Sequence, residues 1–344
     1  MNIWVEDSLQ KVFLDAKKPK RAVRKLEFVC ARGEKEDAQI VAWNDRPLSC
    51  LRIEFSDLKR SGRGSLPASV LSARFVRYVP LFENTKDNGE GKYIIRRAPG
   101  FFPDPLVPAS EMQVQAKVAQ PVWITVSVPR DAEKGKYRGT VTIYADGNET
   151  KIPVNLEVLP ITLPGKPSLY LTNWLSLDSL EHFYNAPQFS EEWWSLIEKV
   201  AANMAEHRQN VILTPIQLLV DFHQTELGFR SDFAKFDRWV SIFDTYGVAQ
   251  LIEGTHLAGR SGGWESDFAF RPFILYDRNG TRHELPATLV TDAERQKLLR
   301  LFLTQLYEHL DEKGWAGRFI IHLADEPVES NSESYCHLAE FVKS

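Results

Sequence analysis

Two adjacent acids, Asp325 and Glu326, end an apolar run near the end of the sequence. The run is "RFIIHLADEP", in which a stretch apolar enough for a buried strand stops at two carboxylates and Pro327. Carboxylates that a strand delivers to a site can act as general acid and base in a hydrolysis. The alternative is a pair of solvated acids that favour the positive end of a following helix. Because neighbouring side chains of a strand point to opposite faces, both acids reach one site only if the strand ends here.

Further polar and aromatic side chains lie at the ends of three other apolar runs that we interpret as strands. These candidates for substrate contact are Asn173 and Trp174 after the first strand, Gln217 on the second, Glu253 and His256 on the third, and Trp264 in a glycine-rich loop. Such a set suits a carbohydrate, because apolar sugar faces stack on aromatic rings and hydroxyls need planar polar partners. His322 lies within the fourth run and is expected to be a core histidine.

The second half of the chain, residues 168–344, alternates strands with helices. Apolar runs at 168–176, 210–219, 248–257 and 318–326 predict strands, and amphipathic segments between them predict helices. This alternation indicates a parallel sheet covered by helices, either a doubly wound open sheet or a (β/α)8 TIM barrel. No glycine-rich phosphate loop follows any of the strands, which favours the barrel over a dinucleotide-binding sheet.

The barrel expected from this pattern is incomplete. A (β/α)8 barrel takes roughly 250 residues, whereas residues 168–344 supply only about the first four β/α units. We therefore expect the N-terminal half of a catalytic barrel with an incomplete pocket, which leaves apolar strand edges and helix faces exposed.

The first half of the chain, residues 1–160, predicts an antiparallel β-sandwich. Apolar residues alternate with others along 122–128, as a half-buried strand requires. Asp146 and Gly147 separate two further alternating segments, which is a strong hairpin signal. Residues 161–167, rich in proline, form a linker to the second half. The sequence therefore predicts a multidomain protein.

Composition and charge argue against several classes of function. The 344-residue chain has 43% hydrophobic and 26% charged residues, and its net charge of −4 gives no electrostatic reason to bind nucleic acid. No apolar run is long enough to predict a membrane span, and no H-E-x-x-H or C-x-x-C motif predicts a metal site or another cofactor. The start "MNIWVEDSLQ" lacks a signal-peptide pattern, which favours a cytoplasmic protein and leaves a secreted or periplasmic one open. The sequence does not indicate an oligomeric state.

The order of these features resembles glycoside hydrolase family 123 and its bacterial relatives. The likeness rests on "FFPDPLVP" and "VPRDAEKGKYRG" in the sandwich half and on "MAEHRQN" and "HLADEP" in the second half. It extends from about residue 25 to the end of the sequence, over the family's sandwich and the first half of its barrel. The resemblance implies a β-N-acetylgalactosaminidase, a hydrolase of carbohydrate metabolism whose partner is an N-acetylhexosamine-containing glycan.

The resemblance also implies roles for the two acids. Glu326 matches the general acid that protonates the glycosidic oxygen and then activates water, and Asp325 matches the residue that holds the 2-acetamido nitrogen. In this retaining, substrate-assisted mechanism the acetamide oxygen attacks the anomeric carbon, so the second carboxylate of ordinary retaining enzymes is not needed. Such an acid should be partly desolvated. Two alternatives stay open: a glycosidase of different sugar specificity on the same scaffold, and a non-catalytic carbohydrate-binding protein.

Overall fold

The computed structural model describes residues 1–84 and 94–344, which divide into two compact units, Met1–Gly165 and Lys166–Ser344. The strands of the first unit are β1 (Asn2–Asp7), β2 (Leu26–Arg32), β3 (Lys35–Trp43), β4 (Leu48–Phe55), β5 (Leu58–Arg60), β6 (Ser65–Leu66), β7 (Leu71–Leu81), β8 (Gly100–Val107), β9 (Glu111–Val114), β10 (Ala119–Ser127), β11 (Gly135–Ala145) and β12 (Asn148–Thr162).

These strands form two sheets that share one core. One sheet has the strand order β1-β3-β10-β7-β8, and the other has the order β2-β12-β11-β4-β9, with β5 paired to β11. Side chains of both sheets, such as Val122 and Val154, are buried in a single apolar cluster, which confirms a β-rich first unit. The prediction of a purely antiparallel unit is wrong at β2, which runs parallel to β12. The chain turns at Gly33 directly from β2 into β3 of the opposite sheet, so β2 pairs with a strand distant in sequence.

The predicted hairpin joins β11 to β12. Asp146 and Gly147 have φ angles of 46° and 80°, and Ala145 pairs with Asn148 across the turn. Two residues with positive φ match the right-handed twist of the flanking strands, which explains why this dipeptide is the strong signal in the sequence.

The second unit mixes helices and strands. Its elements are α1 (Leu177–Tyr184), α2 (Glu191–Glu206), β13 (Val211–Thr214), α3 (Ile216–Leu219), β14 (Asp221–Thr225), β15 (Gly228–Asp232), α4 (Ala234–Thr245), β16 (Leu251–Gly254), β17 (Ala258–Arg260), β18 (Phe268–Phe270), β19 (Phe273–Tyr276), β20 (Arg282–Leu285), β21 (Thr288–Leu289), α5 (Ala293–Glu312), β22 (Phe319–Ile321) and α6 (Ser332–Lys343).

Three of these strands form a parallel sheet with the order β13-β16-β22. All three end at the same edge, where helical crossovers leave the strands. The strand predicted at 168–176 is wrong. Leu171 N donates to the side-chain Oδ1 of Asn210 at 2.8 Å, and Leu171 O accepts from the backbone N of Asn210 and Val211. The Asn210 side chain thus takes a position that a backbone ladder needs. Among the described residues this parallel sheet has three strands, which does not confirm a four-unit barrel.

Residues 259–290 are more regular than their polar composition suggests. They contribute to a three-stranded sheet, β17-β18-β21, and to a four-stranded sheet, β15-β14-β19-β20. Phe268, Phe270 and Phe273 are buried there. Burial of these aromatic side chains stabilises the strands. The surrounding glycine and charged residues weaken the alternating pattern by which a sequence predicts such strands.

The core of the second unit is strongly aromatic. Trp193 of α2 and Trp239 of α4 are fully buried, with ring centroids 6.1 Å apart and an interplanar angle of 29°. Ser190 caps the start of α2, since its hydroxyl oxygen accepts a hydrogen bond from the backbone N of Trp193 at 3.2 Å. Among the described residues, no helix is both long and apolar enough to cross a membrane.

Candidate active site

The candidate site lies where β16 and β22 end. Glu253 belongs to β16, and His322 directly follows β22. Pairing of the backbone continues beyond the strands, since His322 N donates to Gly254 O at 3.2 Å and Leu257 N donates to His322 O at 3.1 Å. The two extensions therefore bring His256 and His322 to neighbouring positions at the carboxyl edge of the parallel sheet, where ligands of α/β folds commonly bind.

Glu253 is a buried carboxylate with three hydrogen-bond donors. Its Oε1 lies 2.5 Å from Nε2 of His322 and accepts from Nε1 of Trp174 at 3.3 Å. Its Oε2 accepts from the Thr172 hydroxyl at 2.7 Å. A buried charge is costly unless it is paired in this way, so Glu253 holds the surrounding side chains in place. The sequence predicts that Glu253 contacts the substrate. The residue is only 3% exposed, so little of its surface is open to a substrate.

His256 is buried against two other rings. Its ring centroid lies 4.6 Å from that of His322 and 5.5 Å from that of Trp174. Burial lowers the pKa of His256, with smaller lowering effects from His322 and Arg271, so the imidazole is neutral at neutral pH. Within the described part of the chain its Nε2 has no hydrogen-bond partner, and this atom lies 4.0 Å from Oδ1 of Asp325.

Asp325 and Glu326 form an exposed turn after β22. The side chain of Asp325 is 55% exposed, and Glu326 is exposed as well. Glu326 has a φ of 45°, a left-handed conformation that costs a non-glycine residue about 1 kcal/mol. The partial desolvation expected for this acid is not observed, because no described element of the second unit covers it.

Arg260 ties this turn to the loop that carries Trp264. Its Nη2 donates to Glu326 O at 2.6 Å, and its Nε donates to Trp264 O at 2.8 Å. The guanidinium also lies over the Trp264 ring, 4.0 Å from the centroid. Trp264, 57% exposed, therefore lies beside the acid pair.

The structure brings most of the predicted residues together, but not all. Trp174, Glu253, His256 and Asp325 converge, and Arg260 links Glu326 with Trp264. We call Trp174, Glu253, His256, His322 and Asp325 the acid–histidine cluster. Asn173 and Gln217 lie outside this cluster.

Asn173 faces away from the cluster because neighbours in an extended segment point to opposite sides. Its Nδ2 donates to Gln209 Oε1 at 3.1 Å, whereas Thr172 and Trp174 on either side both reach Glu253. Asn173 lines a cavity of about 790 Å³ together with residues of α1 and α2. Gln217, half-buried on the single-turn helix α3, makes no contact with the cluster among the described hydrogen bonds and ring contacts.

The sequence missed three residues of the site. His322 is not a core histidine: its side chain is 34% exposed, because the strand ends at Ile321. Thr172 lies on the same face as Trp174, because side chains two positions apart in an extended segment point the same way. This alternation in the sequence could have identified Thr172. Arg260 had no signal in the sequence.

The residues that the structure describes contain no group of three or more histidine, cysteine or acidic side chains arranged to hold a metal ion. The candidate site presents carboxylates, imidazoles and aromatic rings.

Comparison with known proteins places both units in one family. Residues 12–145 match the family model of the glycoside hydrolase 123 N-terminal domain, and residues 174–344 match that of the glycoside hydrolase 123 catalytic domain. A family 123 glycoside hydrolase from Clostridium perfringens, described for glycolipid glycan hydrolysis, has a TM-score of 0.76 and 15% identity. That match covers 98% of this chain and 61% of the clostridial chain, so this chain spans about three fifths of that relative's length.

Two other solved structures have similarities too low to support an argument. The Pseudomonas aeruginosa CupB2 chaperone matches with a TM-score of 0.23 and 8% identity, over 39% of this chain and 53% of that one. The fimbrial subunit MyfA of Yersinia enterocolitica, in complex with galactose, matches with a TM-score of 0.21 and 8% identity, over 46% of this chain and 98% of that one. No curated protein sequence matches the chain. The two family models together extend over most of the sequence, and the chain belongs to glycoside hydrolase family 123.

Proposed function

We propose that the protein is a glycoside hydrolase that removes β-linked N-acetylgalactosamine by a retaining, substrate-assisted mechanism. The observation that carries this proposal is the position of Asp325 and Glu326. They follow β22 at the carboxyl edge of the parallel sheet, inside the segment that matches the family's catalytic domain. Catalytic groups of β/α enzymes are placed at this edge.

In the first step Glu326 gives its proton to the glycosidic oxygen. The bond between that oxygen and the anomeric carbon breaks, and the acetamide carbonyl oxygen of the substrate forms a new bond to the same carbon. Asp325 accepts the hydrogen bond of the acetamide N–H, which stabilises the positive charge that develops on the group. The leaving alcohol departs, and an oxazolinium ion remains on the sugar, with its N–H still bonded to the Asp325 carboxylate.

In the second step Glu326, now a carboxylate, takes a proton from water. The water oxygen attacks the anomeric carbon, the oxazolinium ring opens, and the acetamide is restored. The sugar leaves with its β configuration retained, because two inversions have occurred at one carbon. The neutral His256, with Nε2 4.0 Å from Asp325 Oδ1, is near enough for a small movement to pair it with this carboxylate.

The proposed pocket has an aromatic and polar border. Trp174 is 54% exposed, although its indole N–H is fixed by Glu253, so its ring is available to stack on a sugar face. As the natural substrate we propose the glycan of a glycolipid, by extension from the clostridial relative, whose described activity is glycolipid glycan hydrolysis.

The proposal is tested with the full gene product and a chromogenic β-N-acetylgalactosaminide. We expect turnover, and we expect Glu326→Gln and Asp325→Asn each to lower kcat by roughly 100-fold or more, in the range of lost acid–base catalysis. The chain supplies a matched control in Asp311 and Glu312, a second adjacent acid pair that is exposed on α5. Asp311→Asn and Glu312→Gln should keep the activity of the unaltered protein.

Other results point to the alternatives. An equal rate on a β-galactoside without the acetamido group indicates a glycosidase of different specificity and mechanism. Sugar binding without turnover of any glycoside in the panel indicates a carbohydrate-binding protein. Activity that survives Glu326→Gln contradicts the role assigned to this residue.

A further inference from the structure

Arg260 contacts both the acid turn and the exposed tryptophan. It is half-buried at the end of β17, and its guanidinium donates to the backbone oxygen of Glu326 at 2.6 Å and to that of Trp264 at 2.8 Å. The same group stacks 4.0 Å from the centroid of the Trp264 ring. One side chain therefore fixes two groups that are distant in sequence.

The turn that Arg260 holds is strained and is fixed from a second side. Glu326 has a φ of 45°, and such a conformation persists only when the surroundings determine it. Asn331, fully buried, accepts from Val328 N at 2.8 Å and donates weakly to Trp264 O at 3.4 Å. The loop around Trp264 and the turn after β22 therefore hold each other, with Arg260 and Asn331 as the two links.

We propose that Arg260 is a positioning residue that aims the Glu326 carboxyl at the leaving-group oxygen, and that it holds Trp264 as a platform on the leaving-group side. This inference rests on the proposed glycosidase function. Glu326 O and the Glu326 side chain belong to the same residue, so the hydrogen bond to this oxygen helps to fix the backbone from which the carboxyl projects. Trp264 lies beside the group that protonates the leaving oxygen, and its exposed ring therefore faces the leaving group.

Arginine is suited to this task in a way that lysine is not. The planar guanidinium donates from Nη2 and Nε in fixed directions while its face stacks on an indole, whereas an ammonium group has no such plane. Arg260→Lys keeps the charge and removes this geometry. Arg260→Gln keeps one amide donor and removes both the charge and the stacking cation.

The test compares leaving groups, because only poor leaving groups need the proton of the acid. We measure kcat/KM of the full gene product on the phenyl and the 2,4-dinitrophenyl glycosides of β-N-acetylgalactosamine. For Arg260→Lys and Arg260→Gln we expect a loss of about tenfold or more on the phenyl substrate and about threefold or less on the dinitrophenyl substrate. Glu326→Gln should show the same selectivity with a larger loss. Arg282→Lys, at an exposed ion pair with Glu284, should match the unaltered protein.

The outcomes separate the two proposals. If Glu326→Gln is selective and both Arg260 variants lose equal activity on the two substrates, Arg260 is merely structural and the inference is overturned. If Glu326→Gln itself shows no selectivity, the proposed function fails, whatever the Arg260 variants do. A full gene product without glycosidase activity overturns both.

Discussion

The Nε2 atom of His322 lies 2.5 Å from Oε1 of Glu253, and this hydrogen bond joins two neighbouring parallel strands at the candidate site. The carboxylate also accepts from Thr172 and Trp174. Since His322 and Trp174 belong to the acid–histidine cluster and Thr172 borders it, the Glu253 carboxylate fixes the geometry of the surface on which Asp325 lies.

Replacement of Glu253 tests this role. In Glu253→Gln the amide nitrogen cannot accept a hydrogen bond, so at least one donor that reaches this buried position loses its partner, and we expect the free energy of unfolding of the second unit to fall by about 2 kcal/mol. Urea unfolding followed by tryptophan fluorescence measures this change. Glu284→Gln, at an exposed site of β20, is the control and should stay within about 0.5 kcal/mol. Equal stability of the two variants contradicts the role of Glu253.

A second test concerns the close approach of β16 to β22. A Cβ atom added at Gly254 lies 2.9 Å from Phe319 Cζ and 3.3 Å from Ile320 O, whereas one added at Gly317 has no atom within 4 Å. We expect Gly254→Ala to destabilise the second unit by about 1–3 kcal/mol through overpacking, and to lower activity by shifting Glu253. Gly317→Ala is the matched control. Identical thermal unfolding of the two variants contradicts the close approach of Gly254 to Phe319 and Ile320.

The pH dependence of stability should report on His256. Its pKa is lowered from 6.5 by burial, then by His322 and Arg271, while Asp325 and Glu253 oppose the shift. As the pH falls, His256 therefore binds a proton near pH 6.5 in the unfolded chain, whereas in the folded chain it binds the proton only at a lower pH. Stability should fall as the pH drops through this window, and His256 should contribute no pH dependence above it.

Urea midpoints at about pH 7.5 and about pH 5 measure this loss. His256→Gln, which cannot titrate, should lose less stability between the two values than the unaltered protein. His182→Gln, at an exposed position of α1, should behave like the unaltered protein. The same loss in all three proteins means that other groups cause the pH dependence.

The strand ends explain how far the sequence could predict the site. Apolar runs at β13, β16 and β22 place the residues that end them at one edge. This rule selects Glu253, His256 and Asp325, which the structure brings together, and also Gln217, which lies outside the acid–histidine cluster. The predicted strand is wrong at the run before Trp174, although Trp174 itself belongs to the cluster. Leu169 and Tyr170 have the apolar character of a strand but are 77% and 59% exposed. The local sequence pattern gives no sign that the Asn210 side chain bonds to the backbone of this segment in place of a neighbouring strand.

Contacts between distant segments could not be predicted. Arg260 and Glu326 are 66 positions apart, and the sequence around each gives no sign of the other. The apolar neighbours of His322 predict a core position, but the strand ends one residue earlier, at Ile321, and His322 therefore lies at the site. The burial of the aromatic residues of 259–290 is hidden for a similar reason, since their ring partners, such as Phe341 for Phe270 and Phe222 for Phe273, lie in other segments.

The reactivity of the substrate's own acetamide tests the proposed mechanism most directly. The measurement is kcat/KM of the full gene product on one β-N-acetylgalactosaminide whose acetyl group carries none, one, two or three fluorine atoms. Fluorine makes the carbonyl oxygen a poorer nucleophile, so substrate assistance with Glu326 and Asp325 predicts a steep fall, about tenfold or more over the series. A rate that does not change with fluorination contradicts it, because the carbonyl oxygen then takes no part in breaking the glycosidic bond.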